Sequence, residues 1–220
     1  MDHPIDSRRR LALLAMLAAG AGLGGAVRLA LAQSRQGVRG LRGDVTINGK
    51  PAKEGDEIRP GDTVETARRA SAVFVVGQDA FLLRDSSRVQ IPGGEIAADV
   101  LRLLTGKLLG VFGSGREKRL ATATATIGIR GTGAYLEAQA RRTYFCLCYG
   151  TAEVAATGSD ARASYTTTHH ESPRYIYGDG RKDAIVPANV ENHTDAELIM
   201  LEALVGRTPP SSVMDSPFRY

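Results

Sequence analysis

The chain has no tryptophan, two cysteines in 220 residues and 5% aromatic residues. It also lacks G-x-S-x-G, the phosphate-binding G-x-x-x-x-G-K-[ST] loop and H-E-x-x-H. Their absence excludes the commonest hydrolase, nucleotide-handling and zinc-protease signatures. Excess positive charge is missing as well. The formal net charge is +4, but the first 33 residues hold four of the 28 basic groups and two of the 24 acidic ones, leaving 24 against 22. That balance excludes an electrostatic footprint for nucleic acid, which needs clustered Lys and Arg. The densest basic run, REKR at 116–119, reads as a solvated loop. What is abundant is turn chemistry: 25 glycines and 9 prolines without low complexity favour many short strands.

A long apolar run is missing too. After Arg8–Arg10 come 17 uncharged residues from Leu11 to Val27, diluted by four glycines, then Arg28 and Ala30-Leu31-Ala32. A stable span wants about 20 strongly apolar residues, so this reads as a secretory signal at 1–32, cleaved near Ala32, rather than an anchor. Ser7-Arg8-Arg9-Arg10-Leu11 resembles a twin-arginine signal with Leu in place of the usual Phe. The expectation is periplasmic export, with membrane contact only if the leader stays uncleaved, as in a tethered regulator.

The exported part opens with Val45-Thr46-Ile47 running into Asn48-Gly49, a hairpin signal of type I′. Short apolar runs follow at Thr63 to Thr66, Ala72 to Val76, Ala80 to Leu83 and Arg88 to Ile91, at roughly ten-residue spacing that indicates an all-β domain. Residues 96–113 fit both periods: Ile96, Val100, Leu103 and Leu104 at helical offsets, Leu108, Val111 and Phe112 as a strand. Period-2 alternation then predicts strands from Thr122 to Ile129 and from Thr143 to Val154, with a bend at Gly131 and Gly133 between them. Near the end, Thr194 and Glu197 form a capping box, Leu198, Leu201 and Val205 a stripe, and Gly206 a stop, which predicts one helix over 194–205 and a loose tail after it.

Three stretches together, VTINGKPAKEGDEIRPGDTVET, ATATATIGIRGTGAYLE and TYFCLCYGTAEV, resemble the FecR domain family across about 43–156. The matching positions are Gly55-Asp56, Gly61-Asp62, Thr63, Thr66, Ile129-Arg130-Gly131-Thr132, Glu137, and Gly150 with Val154. The resemblance implies a short-stranded β-solenoid or sandwich-like domain without catalysis, with 157–220 as a C-terminal extension. It also implies envelope signalling, although the ten residues before the leader leave no room for the cytoplasmic sigma-factor-binding part of the best-known members. Read from the residues themselves, the paired Gly-Asp elements are two turns around Glu57-Ile58, and Arg130 is a structural side chain serving the bend. The leading expectation is therefore an exported, non-enzymatic module in the cell envelope that binds a protein or glycan partner.

The alternative rests on the only cysteines. In a strand Cys146 and Cys148 share one face, with Cα atoms about 6.6 Å apart, near the upper limit for a disulfide. If Gly158-Ser159 is a two-residue turn, positions summing to 317 face each other, which sets Cys148 opposite His169 and Cys146 opposite Glu171; a one-residue slip brings His170 to Cys146. Two thiolates and an imidazole, with His193 as a candidate fourth group, suit copper or zinc, so the candidate ligands are Cys146, Cys148, His169 and His170. A thiol-redox role is open on the same residues. The plainer reading makes the cysteines small core residues or a disulfide, and leaves Asp195 and Glu197 to the helix cap. An oxidising compartment disfavours free thiols and keeps the metal reading open.

Overall fold

The computed structural model describes residues 36–93, 100–115 and 117–215; the expected leader, part of the ambiguous stretch, Arg116 of REKR and the last five residues lie outside them. Fourteen strands make up the described part: β1 Gly37–Arg42, β2 Val45–Ile47, β3 Lys50–Pro51, β4 Thr63–Thr66, β5 Ser71–Val76, β6 Asp79–Leu83, β7 Ser87–Gln90, β8 Val100–Val111, β9 Lys118–Ala121, β10 Ala125–Ala138, β11 Arg142–Ala156, β12 Arg162–Thr167, β13 Arg174–Tyr177 and β14 Ile185–Pro187. Two helices follow, α1 Asp195–Leu204 and α2 Ser211–Met214. The strands form one open mixed sheet in the order β14-β13-β11-β10-β9-β8-β7-β4-β2-β3. From it β1, β5 and β6 branch at β8, and β12 branches at β11. Antiparallel pairing dominates, and β8 with β9 is parallel.

Local chemistry accounts for the first half. Asn48 and Gly49 take φ of 53° and 76° and close β2 onto β3, as the type I′ signal requires. The two Gly-Asp elements are one device used twice. In Lys53–Asp56 and Arg59–Asp62 the aspartate N–H closes the turn onto the first carbonyl, and the aspartate carboxylate accepts the first residue's N–H at 2.8 and 2.7 Å. The preceding glycine stands at φ 88° and 89°, a conformation that a Cβ would strain.

The expected strands are present at β4 to β7, while three expectations change. The ambiguous stretch is the long strand β8 from Val100 onward. The strand expected from Thr122 starts instead at Ala125, because Thr122 accepts the N–H groups of Thr124 and Ala125 through its hydroxyl and turns the chain out of β9. The tail expected to be loose forms α2, pinned by buried Val213.

The β10–β11 hairpin organises the rest. Its even-parity face on β10 (Ala134, Leu136, Ala138) and odd-parity face on β11 (Phe145, Leu147) enter the main apolar core with Phe74, Leu83, Leu108 and Ile127. The opposite face carries Tyr135, Tyr144, Cys146 and Cys148 into a second cluster, closed by Leu198 and Leu201 of α1 and Val213 of α2. Polar bonds reinforce that cover. Arg84 grips Glu197 through both carboxylate oxygens at 2.7 and 2.8 Å, and Tyr149 donates to Glu202, which also accepts from Arg207.

Candidate metal centre

The site exists because β11 has two different neighbours along one edge. Residues 150–155 pair with β12 and residues 142–145 with β13, both antiparallel, so Cys146 to Tyr149 face a gap between them. A kink opens there. The β10–β11 register is interrupted around Gly133, Gly150 stands at φ 100°, and a Cβ on it would lie 2.6 Å from Thr132 Cγ2. The end of β12 and the segment after it fill the gap: the Thr167 hydroxyl donates to the Leu147 carbonyl at 2.9 Å, and the His170 N–H to the Cys148 carbonyl at 3.0 Å. Glu171 braces the turn by accepting the N–H groups of Thr168 and His169, both at 2.8 Å. Burial works against the Glu171 charge, but the Thr168 hydroxyl and these backbone donors hold its carboxyl down at about 2. Within this turn His170 adopts φ 58°, which swings its ring inward.

Four metal-type groups meet inside. One ligand atom each from Cys146, Cys148, His170 and His193 all lie within 4.8 Å of one another, and all four residues are buried. His170 Nδ1 is 3.3 Å from Cys146 Sγ and 3.1 Å from His193 Nε2. These are close to the edge lengths of a tetrahedron with metal–sulfur bonds of about 2.3 Å and metal–nitrogen bonds of about 2.0 Å. His193 arrives from the segment preceding α1, with its ring stacked on Tyr135 at 4.6 Å and 18°. Both cysteines and three of the chain's four histidines, counting His169 beside it, are gathered here.

The outer nitrogens decide the chemistry. His193 Nδ1 lies 2.6 Å from the Glu191 carbonyl, which can only accept, so Nδ1 carries the hydrogen and Nε2 offers a lone pair inward. His170 Nε2 lies 2.9 Å from Asp195 Oδ1, so the same argument directs its Nδ1 lone pair inward. Two lone pairs repel at 3.1 Å unless a cation stands between or beside them. That cation is a proton on one ring or a metal ion bound by both. The proton state has its own signature. A hydrogen bond from Cys148, aided by His170 and His193, holds the Cys146 thiol far below its ordinary range against the cost of burial. Burial, with the bond to Cys146, pushes Cys148 well above it. For His170, burial opposes the charge, yet the sulfur of Cys146 and the carboxylate of Asp195 raise it. Burial and bonding thus favour charge at Cys146 and His170 and disfavour it at Cys148. A carboxylate behind a ligating histidine is the usual outer support of a metal site.

Of the residues singled out in the sequence, Cys146, Cys148 and His170 come together, with His193 as the fourth, while His169 does not join them. It turns the other way and meets Asp195 Oδ2 at 2.8 Å through Nε2. The register summing to 317 is the one observed, Gly150 with Thr167 through Ala155 with Arg162, but the ladder ends at Thr167. Beyond it, alternation no longer governs which side chain faces the thiols. For the same reason Glu171 does not face Cys146. Asp195 is the residue whose role the sequence concealed: Thr194 and Glu197 complete the capping box without it, freeing its carboxylate for His169 and His170. Its signal was a second carboxylate within three residues of a cap that needed one. Among the FecR-like positions, Ile129 is core, Gly131 lies in the kink at φ 58°, Thr132 is buried beside it, and exposed Arg130 donates to the Gly115 carbonyl at 3.2 Å. Glu137 accepts from Tyr135 and Asn192.

No family model matches the sequence, and no curated protein matches it. Two solved structures are similar in part, both described as "a putative anti-sigma factor from Parabacteroides distasonis ATCC 8503", at 2.50 and 1.65 Å resolution. Their identities to this chain are 12% and 11%, the TM-score is 0.49 for each, and 62% of this chain is covered. This chain spans 64% of the length of each, under two thirds.

Proposed function

We propose that the chain is a non-catalytic, exported β-module that holds one soft metal ion, zinc or copper(I), among Cys146, Cys148, His170 and His193. The observation that carries the reading is the inward convergence of two sulfurs and two imidazole nitrogens whose remaining N–H groups are committed to Asp195 and Glu191. Two thiolates and two imidazoles complete a tetrahedron, and a closed four-ligand set with no place for substrate suits structure or sensing rather than turnover. Zinc fits the mixed set best, since copper(I) is content with fewer, softer ligands. Binding expels the Cys148 thiol proton and the proton shared at His170, so affinity rises with pH.

The ion would tie three separate pieces of chain together: β11, the turn after β12, and the segment leading into α1. The leader and the FecR-like elements support placing this module in the bacterial envelope, with a protein or glycan partner. Elemental analysis of the folded protein tests the reading. About one equivalent of zinc or copper is expected, absent from the Cys146→Ser/Cys148→Ser double variant, with a fall in melting temperature when chelator removes it. Metal-free protein whose melting ignores chelator would overturn it.

A further inference from the structure

The four inner groups are closed off: Cys146 and Cys148 are 0% exposed, His193 2% and His170 3%. An ion therefore needs somewhere to wait while water and protons leave. Directly behind His170 lies a second group of ligand atoms, His169, His170 and Asp195, also within 4.8 Å of one another. The two groups share one ring, because His170 points Nδ1 into the inner cluster and Nε2 to Asp195 Oδ1. The other carboxylate oxygen, Oδ2, faces His169 Nε2 at 2.8 Å, close to the nitrogen–oxygen separation of two neighbouring ligands on one zinc ion. The His169 side chain is 18% exposed, whereas those of His170 and Asp195 are 0%.

We propose that His169 and Asp195 form an outer capture position for a hydrated divalent cation, from which the ion passes to the buried cysteine–histidine cluster; this rests on the metal reading above. The ion would take Asp195 Oδ2 and His169 Nε2, keep water on its remaining positions, and leave the Oδ1 bond to His170 intact. For Nε2 to face the ion, the ring hydrogen of His169 sits on Nδ1. One nitrogen and one carboxylate oxygen make a weak, hard, wet position that exchanges quickly. Two sulfurs and two nitrogens one ring away make a tight one, so transfer inward is downhill. The inward step releases the Cys148 thiol proton and the proton at His170 to water and involves no redox change.

The test uses the full chain, reduced and freed of metal by chelator, with cobalt(II) and zinc(II) as the probes. The expected first cobalt equivalent shows an intense sulfur-to-metal band with tetrahedral absorption, and a second, weaker equivalent adds only the pale spectrum of a six-coordinate ion. His169→Ala is expected to keep the first equivalent, lose the second, and take up zinc roughly tenfold more slowly in stopped flow. His169→Asn serves as a further variant with a polar side chain. Unchanged uptake and two retained equivalents in both variants would sink the capture position and leave the buried site standing. A wild-type chain showing no sulfur-to-metal band would sink both.

Discussion

On one face of the β10–β11 hairpin, Leu136, Phe145 and Leu147 belong to the main apolar core, whereas one residue along, on the other face, Tyr135, Tyr144, Cys146 and Cys148 lie beneath a cover studded with polar partners. The backbone is the same for both. The first face is held by area removed from water, which is non-directional and tolerates small shifts. The second is held by groups that must meet at fixed distances: Tyr144 on the Asn189 carbonyl at 2.9 Å, Tyr135 on Glu137 at 2.8 Å, His170 on the Cys146 sulfur at 3.3 Å and on His193 at 3.1 Å. Burial accordingly pushes the tyrosine hydroxyls Tyr135, Tyr144 and Tyr149 far above their ordinary range, so they stay neutral donors. The difference teaches that the apolar face holds the fold together by area, and the polar face fixes which side chains meet.

The largest expected effect separates the two. Phe145→Ala should cost about 3–5 kcal/mol in denaturant unfolding, equally with and without metal, because it opens a cavity in the apolar face. Its neighbour Cys146→Ser should remove the response to chelator, and an equal chelator response in the two variants would break the comparison. Next, Asp195→Asn should weaken metal binding about 10–100-fold by loosening the orientation of His170, measured by competition with a chromophoric chelator. Full affinity there would deny the carboxylate its supporting role. Third, Thr194→Ala removes one partner of the capping box and should destabilise the cover by about 1 kcal/mol. Hydrogen exchange should then rise in α1 while the main core stays protected.

The smallest effect concerns pH. Glu171 has its carboxyl lowered from 4.5 to about 2, so the unfolded chain binds its proton more readily than the folded one. Its contribution is present above about pH 4.5 and is lost as pH falls toward about 2, so stability should rise with pH across that window. Glu171 is exposed and solvent-screened, which keeps the slope small. Glu171→Gln should flatten it, and a slope unchanged by the substitution would place the effect elsewhere.

Much of the frame was legible. The Asn48-Gly49 turn, the twin Gly-Asp turns and the capping box are contiguous signals in which the residue type supplies the required φ or the required acceptor. The shared face of Cys146 and Cys148 followed from the two-residue period of a strand, and of the two registers open for β12 on β11 the one summing to 317 is observed. β8 was not legible in the same way. Its first half alternates between buried and exposed positions, while Leu109 to Val111 are buried without interruption because both faces are covered there. Periodicity fails where the second side of a strand is also inside.

By itself, then, the sequence determined the all-β architecture, the turn positions, the helix near the C-terminus and the pairing of two thiols on one surface, since each depends on neighbours a few residues apart. Only the tertiary structure decided which imidazoles reach those thiols. Strand pairing along β11 breaks between β12 and β13, and within that break His170 turns inward while His169 turns to Asp195. His193 and Asp195 are brought in from more than twenty residues away by apolar packing of α1. Contacts across such separations depend on how the whole sheet is covered, which no local period encodes.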